Sequence, residues 1–162
     1  MSRFLALLFG IVGALGASQA PEFTQQYLQN LKGSVDRLTE VVARFDEDAM
    51  RSDMTRSEAL NYCLTDSRPD GAMSCKGRAE DVKDFERYSQ QLANLQAADE
   101  WRRPIYLVRN YDKKIAESTL EEFKPAVPAT LPGAAYALAG FALFWGGAAL
   151  ILGLITAPFR RY

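Results

Sequence analysis

Charge is absent from long stretches at both ends of this chain. All 20 Asp and Glu residues lie between Glu22 and Lys124, as do all of the 19 Lys and Arg except Arg3, Arg160 and Arg161. Residues 4–20 and 133–157 are therefore uninterrupted uncharged runs. At about 1.5 Å per residue the first makes roughly 25 Å of helix and the second roughly 37 Å, against a bilayer core of about 30 Å. With 162 residues, 48% hydrophobic and 24% charged, the chain has the average composition of a soluble globule. The segregation of its charges predicts a membrane protein instead.

The second run is long enough to span with some tilt. Tyr136 lies near one of its ends, Phe159 and Tyr162 near the other, and Arg160 and Arg161 follow at once, as expected for interfacial aromatics and a cytoplasmic flank. The first run has two competing readings. Arg3, an apolar core and Ser18-Gln19-Ala20 resemble a cleavable signal peptide, whereas Pro21 directly after the possible scissile bond favours an uncleaved anchor. The expected organisation is a first span over residues 1–20, a periplasmic helical domain over 21–132, a second span over 133–157 and a cytoplasmic tail over 158–162. Arg3, Arg160 and Arg161 set that topology, with both termini cytoplasmic and the chain in a bacterial inner membrane.

Small residues recur every fourth position as Ala6, Gly10 and Ala14, and again as Ala142 with Gly146 and Ala149 with Gly153. Such rows let helix backbones approach closely in lipid. They suit a contact with another subunit, but the spacing is common in membrane helices, and packing of the two spans on each other accounts for it equally well.

Between the spans, Phe23, Tyr27, Leu31, Val35, Leu38, Val42, Phe45 and Ala49 form one helical stripe. Thr55 and Glu58 read as a capping box opening a short helix through Tyr62. Pro69-Asp70-Gly71 is a turn signal. From Arg78 a second stripe returns through Val82, Phe85, Tyr88, Leu92 and Leu95; Pro104 interrupts it, and Val108, Tyr111, Ile115, Thr119 and Phe123 make a third. No segment alternates with period two, so the expected fold is all-α: two transmembrane helices flanking a periplasmic antiparallel helical hairpin with a disulfide-closed loop.

That loop is bracketed by Cys63 and Cys75. In an oxidising compartment two cysteines at this spacing read as a structural disulfide rather than as unpaired thiols, a redox pair or a metal site. Trp101, Arg102 and Arg103, with Arg109, Lys113 and Lys114 downstream, fit lipid headgroups or a negatively charged partner. Asp112, Glu117, Glu121 and Glu122 dilute the basic field and favour a solvated face. Asp46, Glu47 and Asp48 lack the glycine-containing loop of a calcium site and read as a solvated charge run.

Histidine is absent, which removes the commonest metal ligand and near-neutral base, and a net charge of −1 gives no basis for a nucleic-acid partner. All of the 11 glycines except Gly33, Gly71 and Gly77 lie in the apolar runs, so no phosphate-cradling loop is present. No catalytic residue, metal ligand or cofactor is assigned, and an enzyme is not expected.

Two stretches, SQAPEFTQQYLQNLKGSVDRL from Ser18 and RPIYLVRNYDKKIAESTLEEFKPAVPATLPGAAYALAGF from Arg103, together resemble the bacterial membrane-protein family catalogued as domain of unknown function 2937. The likeness rests on a Gln-x-Pro-Glu-Phe pattern closing the first apolar run and a Pro-Ala-Val-Pro element before the second. It implies a Gram-negative inner-membrane protein with an uncleaved first span, and supplies no activity or cofactor. The resulting expectation is a non-enzymatic structural or accessory subunit that docks on a larger membrane complex or on a second copy. The alternative is a periplasmic sensory or ligand-binding domain signalling through a partner.

Overall fold

The computed structural model describes residues 2–65, 69–126 and 130–156, without the side chains of Ser2, residues 69–73 and Thr156. Those residues form seven helices and no strand: α1 (Ser2–Ser18), α2 (Ala20–Arg51), α3 (Arg56–Leu64), α4 (Pro69–Ala97), α5 (Arg103–Asn110), α6 (Lys113–Glu122) and α7 (Leu131–Thr156). Two stretches, one running from α1 into α2 and one within α7, are long and apolar enough to cross a membrane.

Local chemistry explains most of the boundaries. Pro21 falls in the first turn of α2, where its missing N–H breaks no helical bond. At the end of α2, Asp53 takes the left-handed conformation (φ 53°), and Met54 N–H returns to the Ala49 carbonyl at 3.0 Å. Asp is among the few residues that tolerate this geometry. The expected capping box opens α3: Glu58 N–H donates to Thr55 Oγ1 and Thr55 N–H donates to Glu58 Oε2. The Thr55 N–H and the Thr55 hydroxyl, which also donates to Glu58 Oε2, hold the Glu58 carboxyl below its ordinary pKa.

Two expectations need correction. Pro69-Asp70-Gly71 is not a turn: α4 begins at Pro69, so the helix starts well before Arg78, with proline at a position that needs no N–H donor. The stretch expected from Val108 to Phe123 is two helices. Asp112 caps α6 by accepting from Lys114 N–H and Ile115 N–H, which ends α5 at Asn110. Ile115 and Thr119 are buried as expected, but Val108 and Tyr111 are exposed, and Pro104 and Leu107 are buried in their place. Pro104 sits in the first turn of α5, after a break in which the Asp99 carbonyl accepts from Arg102 N–H and Arg103 N–H.

The chain divides into two compact units, Met1–Tyr27 with Ala98–Tyr162, and Leu28–Ala97. In the first, α1 and α7 pack antiparallel: Gly10 lies against Trp145 and Phe141, Gly13 against Phe144 and Gly140, and Ala17 against Gly140. In the second, Val42 and Phe45 of α2 and Val82 of α4 form a buried cluster on which Ala59, Leu60 and Phe85 pack. Every member of the α2 stripe within this unit is buried except half-buried Val35. Cys63 and Cys75 are joined by a disulfide with Cα atoms 5.6 Å apart, closing a loop whose contribution to stability is about 3 kcal/mol.

Candidate functional site

The arrangement that most distinguishes this chain is a clamp between the start of α2 and the extended segment leading toward α7. Gln19, Phe23 and Gln26 recur at i, i+4 and i+7, and so share one face of the helical run. Gln19 Nε2 donates to the Ala126 carbonyl at 3.1 Å, and Ala126 N–H donates to Gln19 Oε1 at 3.1 Å. Gln26 repeats the pattern on Lys124, donating to its carbonyl at 3.1 Å and accepting from its N–H at 3.3 Å. Between the two amides, Phe23 meets Phe123 edge to face, with ring centroids 5.6 Å apart.

The receiving segment is suited to this grip. Residues before a proline are driven to extended backbone, in which alternate residues present their N–H and C=O to the same side. Lys124 and Ala126 therefore face the glutamines, while Pro125, which has no N–H to offer, takes the position between them. One residue beyond Gln26, the Tyr27 hydroxyl is fully buried and accepts from Asp112 N–H at 2.9 Å, tying the α5–α6 junction to the same helix. On α7, the Tyr136 hydroxyl donates to the Trp101 carbonyl at 2.8 Å.

The residues singled out by sequence are spread over the chain. Ala6 and Gly10 are buried at the α1–α7 contact and Ala14 is half-buried. The α7 row does not face α1: Ala142, Ala149 and Gly153 are exposed, a Cβ at Gly146 would meet nothing within 4 Å, and the close approach is at Gly140. A Cβ there would fall on the Gly13 carbonyl oxygen and the Ala17 side chain, so only glycine lets the backbones meet. Arg3, Trp101 and Arg102 are exposed and Arg103 is half-buried, its Nε donating to the Ala98 carbonyl at 3.0 Å. Arg160 and Arg161, with Phe159 and Tyr162, lie outside the described residues.

Asp46 is not merely part of a solvated run. Arg56 donates to its two oxygens at 2.7 and 2.5 Å, and both side chains are about a third exposed. Hydrogen bonding by the Arg56 guanidinium, opposed by partial burial and reinforced by its charge, holds the Asp46 carboxyl below its ordinary range. Glu47 and Asp48 do stay exposed, each paired with Arg51. A shallow groove of about 350 Å³ in the second unit is lined by Val42, Phe45 and Val82 with Arg44, Asp48, Arg78 and Asp81, two charges of each sign. No group of three His, Cys, Asp or Glu is placed to hold a metal among the described residues.

Sequence reasoning missed Gln19, Gln26 and Tyr27 as positioning residues. Their signal was present in the two stretches that carry the family resemblance, which the clamp brings into contact. Fold and clamp together define an all-helical protein with two helices apolar enough to cross a bilayer, the junction of α1 and α2 fastened to the segment preceding α7. Within that class, the chain belongs to the family described as protein of unknown function (DUF2937), which it matches over residues 1–161. No curated protein and no solved structure matches it.

Proposed function

We propose that this is a non-enzymatic inner-membrane protein that serves as a structural or accessory subunit of a larger membrane complex. In this reading α1 and α7 span the bilayer, both termini are cytoplasmic, and the helices between them are periplasmic, with α2 and α4 as an antiparallel hairpin. The supporting observation is the surface of α7. Only 6% of its most apolar window is buried within the chain, against 22% for the window at the N-terminal end. Leu138, Leu143, Leu150, Ile151, Leu154 and Ile155 are all exposed. So much apolar surface requires lipid or a partner helix around it. The disulfide between Cys63 and Cys75 supports an oxidising compartment for the helices between the spans.

Two experiments test the reading. Purification of the tagged protein from its native membranes in mild detergent should recover a stoichiometric complex with one or more integral membrane proteins. Recovery only as a monomer or homo-oligomer would overturn the accessory role and favour a sensory domain, for which the groove around Phe45 would be the place to seek a ligand. Single reporter cysteines at Ser2→Cys, Asp70→Cys and Tyr162→Cys test the topology in intact cells. Labelling of only Asp70→Cys from the periplasm is expected, and periplasmic labelling of either terminus would overturn the two-span arrangement.

A further inference from the structure

Outside the apolar spans, three exposed apolar side chains of the first unit lie on α5 and the turn before it, with Tyr111 and Leu120 exposed further along the chain. Trp101, Ile105 and Val108, at i, i+4 and i+7, are 45%, 51% and 76% exposed, while Pro104 and Leu107 fill the buried side. Ile105 and Val108 share one exposed face of α5 with Arg109 beside it, and Trp101 and Arg102 stand in the turn that leads into it. No acidic residue lies from Trp101 through Tyr111; Asp99, Glu100 and Asp112 lie just outside. A short helix with an apolar arc edged by arginines has the composition of a segment lying in a bilayer interface.

The hydrogen bond from Tyr136 to the Trp101 carbonyl sets the depth of this helix. Tyr136 stands little more than one turn into α7, which at about 1.5 Å per residue is roughly 39 Å long and overshoots a core of about 30 Å. With the overshoot shared between both ends, Tyr136 falls at the edge of the core, the interfacial depth favoured by both tyrosine and tryptophan, and it carries Trp101 there with it. Leu131 and Leu138, two turns apart on α7, are 79% and 72% exposed and extend the apolar surface at this end of the helix.

We propose that α5 lies in the phospholipid interface, with Trp101, Ile105 and Val108 among the upper acyl chains and Arg102 and Arg109 at the headgroup phosphates. This rests on the proposed bilayer-spanning role of α7. The two tryptophans make it testable. Trp145→Phe leaves Trp101 as the sole tryptophan, and Trp101→Phe leaves Trp145, which is close to the midpoint of α7. Each full-length protein is reconstituted into phosphatidylethanolamine–phosphatidylglycerol vesicles carrying bromine either near the headgroup or near the chain terminus.

Trp101 should be quenched about twofold more by shallow than by deep bromine and little by aqueous iodide, with Trp145 showing the reverse depth preference. Strong iodide quenching of Trp101 without lipid quenching would overturn the proposal by placing α5 in water. Protection from every quencher would overturn it by placing α5 under protein, whether a partner or a second copy. In both cases deep quenching of Trp145 would leave the spanning reading intact. Failure of bromine to reach either tryptophan would overturn the spanning reading as well.

Discussion

At the α1–α7 contact the closest approach is made by backbone that any side chain would displace, whereas the cluster of α2, α3 and α4 is filled by rings and branched side chains. Gly140 meets Gly13 main chain to main chain. In the other unit Val42, Phe45 and Val82 are buried, and a Cβ added at Gly33 or Gly77 would meet nothing. The contrast follows from the surroundings proposed for each. Lipid is as apolar as leucine, so burying large side chains between spans gains little and close backbone contact holds them. In water, the apolar area removed from solvent is the driving force. Polar bonds divide in the same way. The first unit uses side-chain amides and hydroxyls on distant backbone; the second adds a disulfide and an arginine–carboxylate fork.

This contrast would be broken by substitutions that act in the opposite sense in the two units. Phe45→Ala, which empties the centre of the second unit, should cost about 3 to 4 kcal/mol in thermal unfolding in mild detergent micelles. A negligible change would mean that the cluster is not the core of that unit. Gly140→Ala adds a single carbon and should cost about 2 kcal/mol, because the helices must separate to admit it. Gly146→Ala on the same helix, where the added carbon meets nothing, is the control and should not destabilise, and equal losses at the two positions would show that glycine flexibility rather than close approach matters.

Acid titration examines the arginine–carboxylate fork. The folded Asp46 pKa is lowered, so its contribution is fully present above the unfolded value of about 3.9 and is lost as pH falls through the depressed folded value. For a pair about a third exposed, screening limits this to about 1 kcal/mol. Asp46→Asn should remove that contribution at neutral pH and reduce the acid-dependent fall in melting temperature. The smallest effect runs the other way: Gly77→Ala, in open space within α4, should stabilise by about 0.5 to 1 kcal/mol through reduced chain entropy. Destabilisation there would mean that glycine in the second unit is also required for packing.

Sequence by itself determined the features that depend on near neighbours. Apolar run length located the two long apolar helices, the 3.6 period identified Tyr27, Leu31, Leu38, Val42, Phe45 and Ala49 as buried, and Thr55 with Glu58 gave the start of α3. It erred where one residue type serves two local structures. Pro69 opens a helix as readily as a turn, and Asp112 caps a helix inside an otherwise continuous apolar pattern. Only the tertiary structure decided which small residues meet and what the glutamines hold. The clamp joins residues 98 and 107 positions apart, and a glutamine amide bonds as well to water as to a carbonyl. Nothing in its own neighbourhood marks it as a fastener until the chain has brought Lys124 and Ala126 within reach.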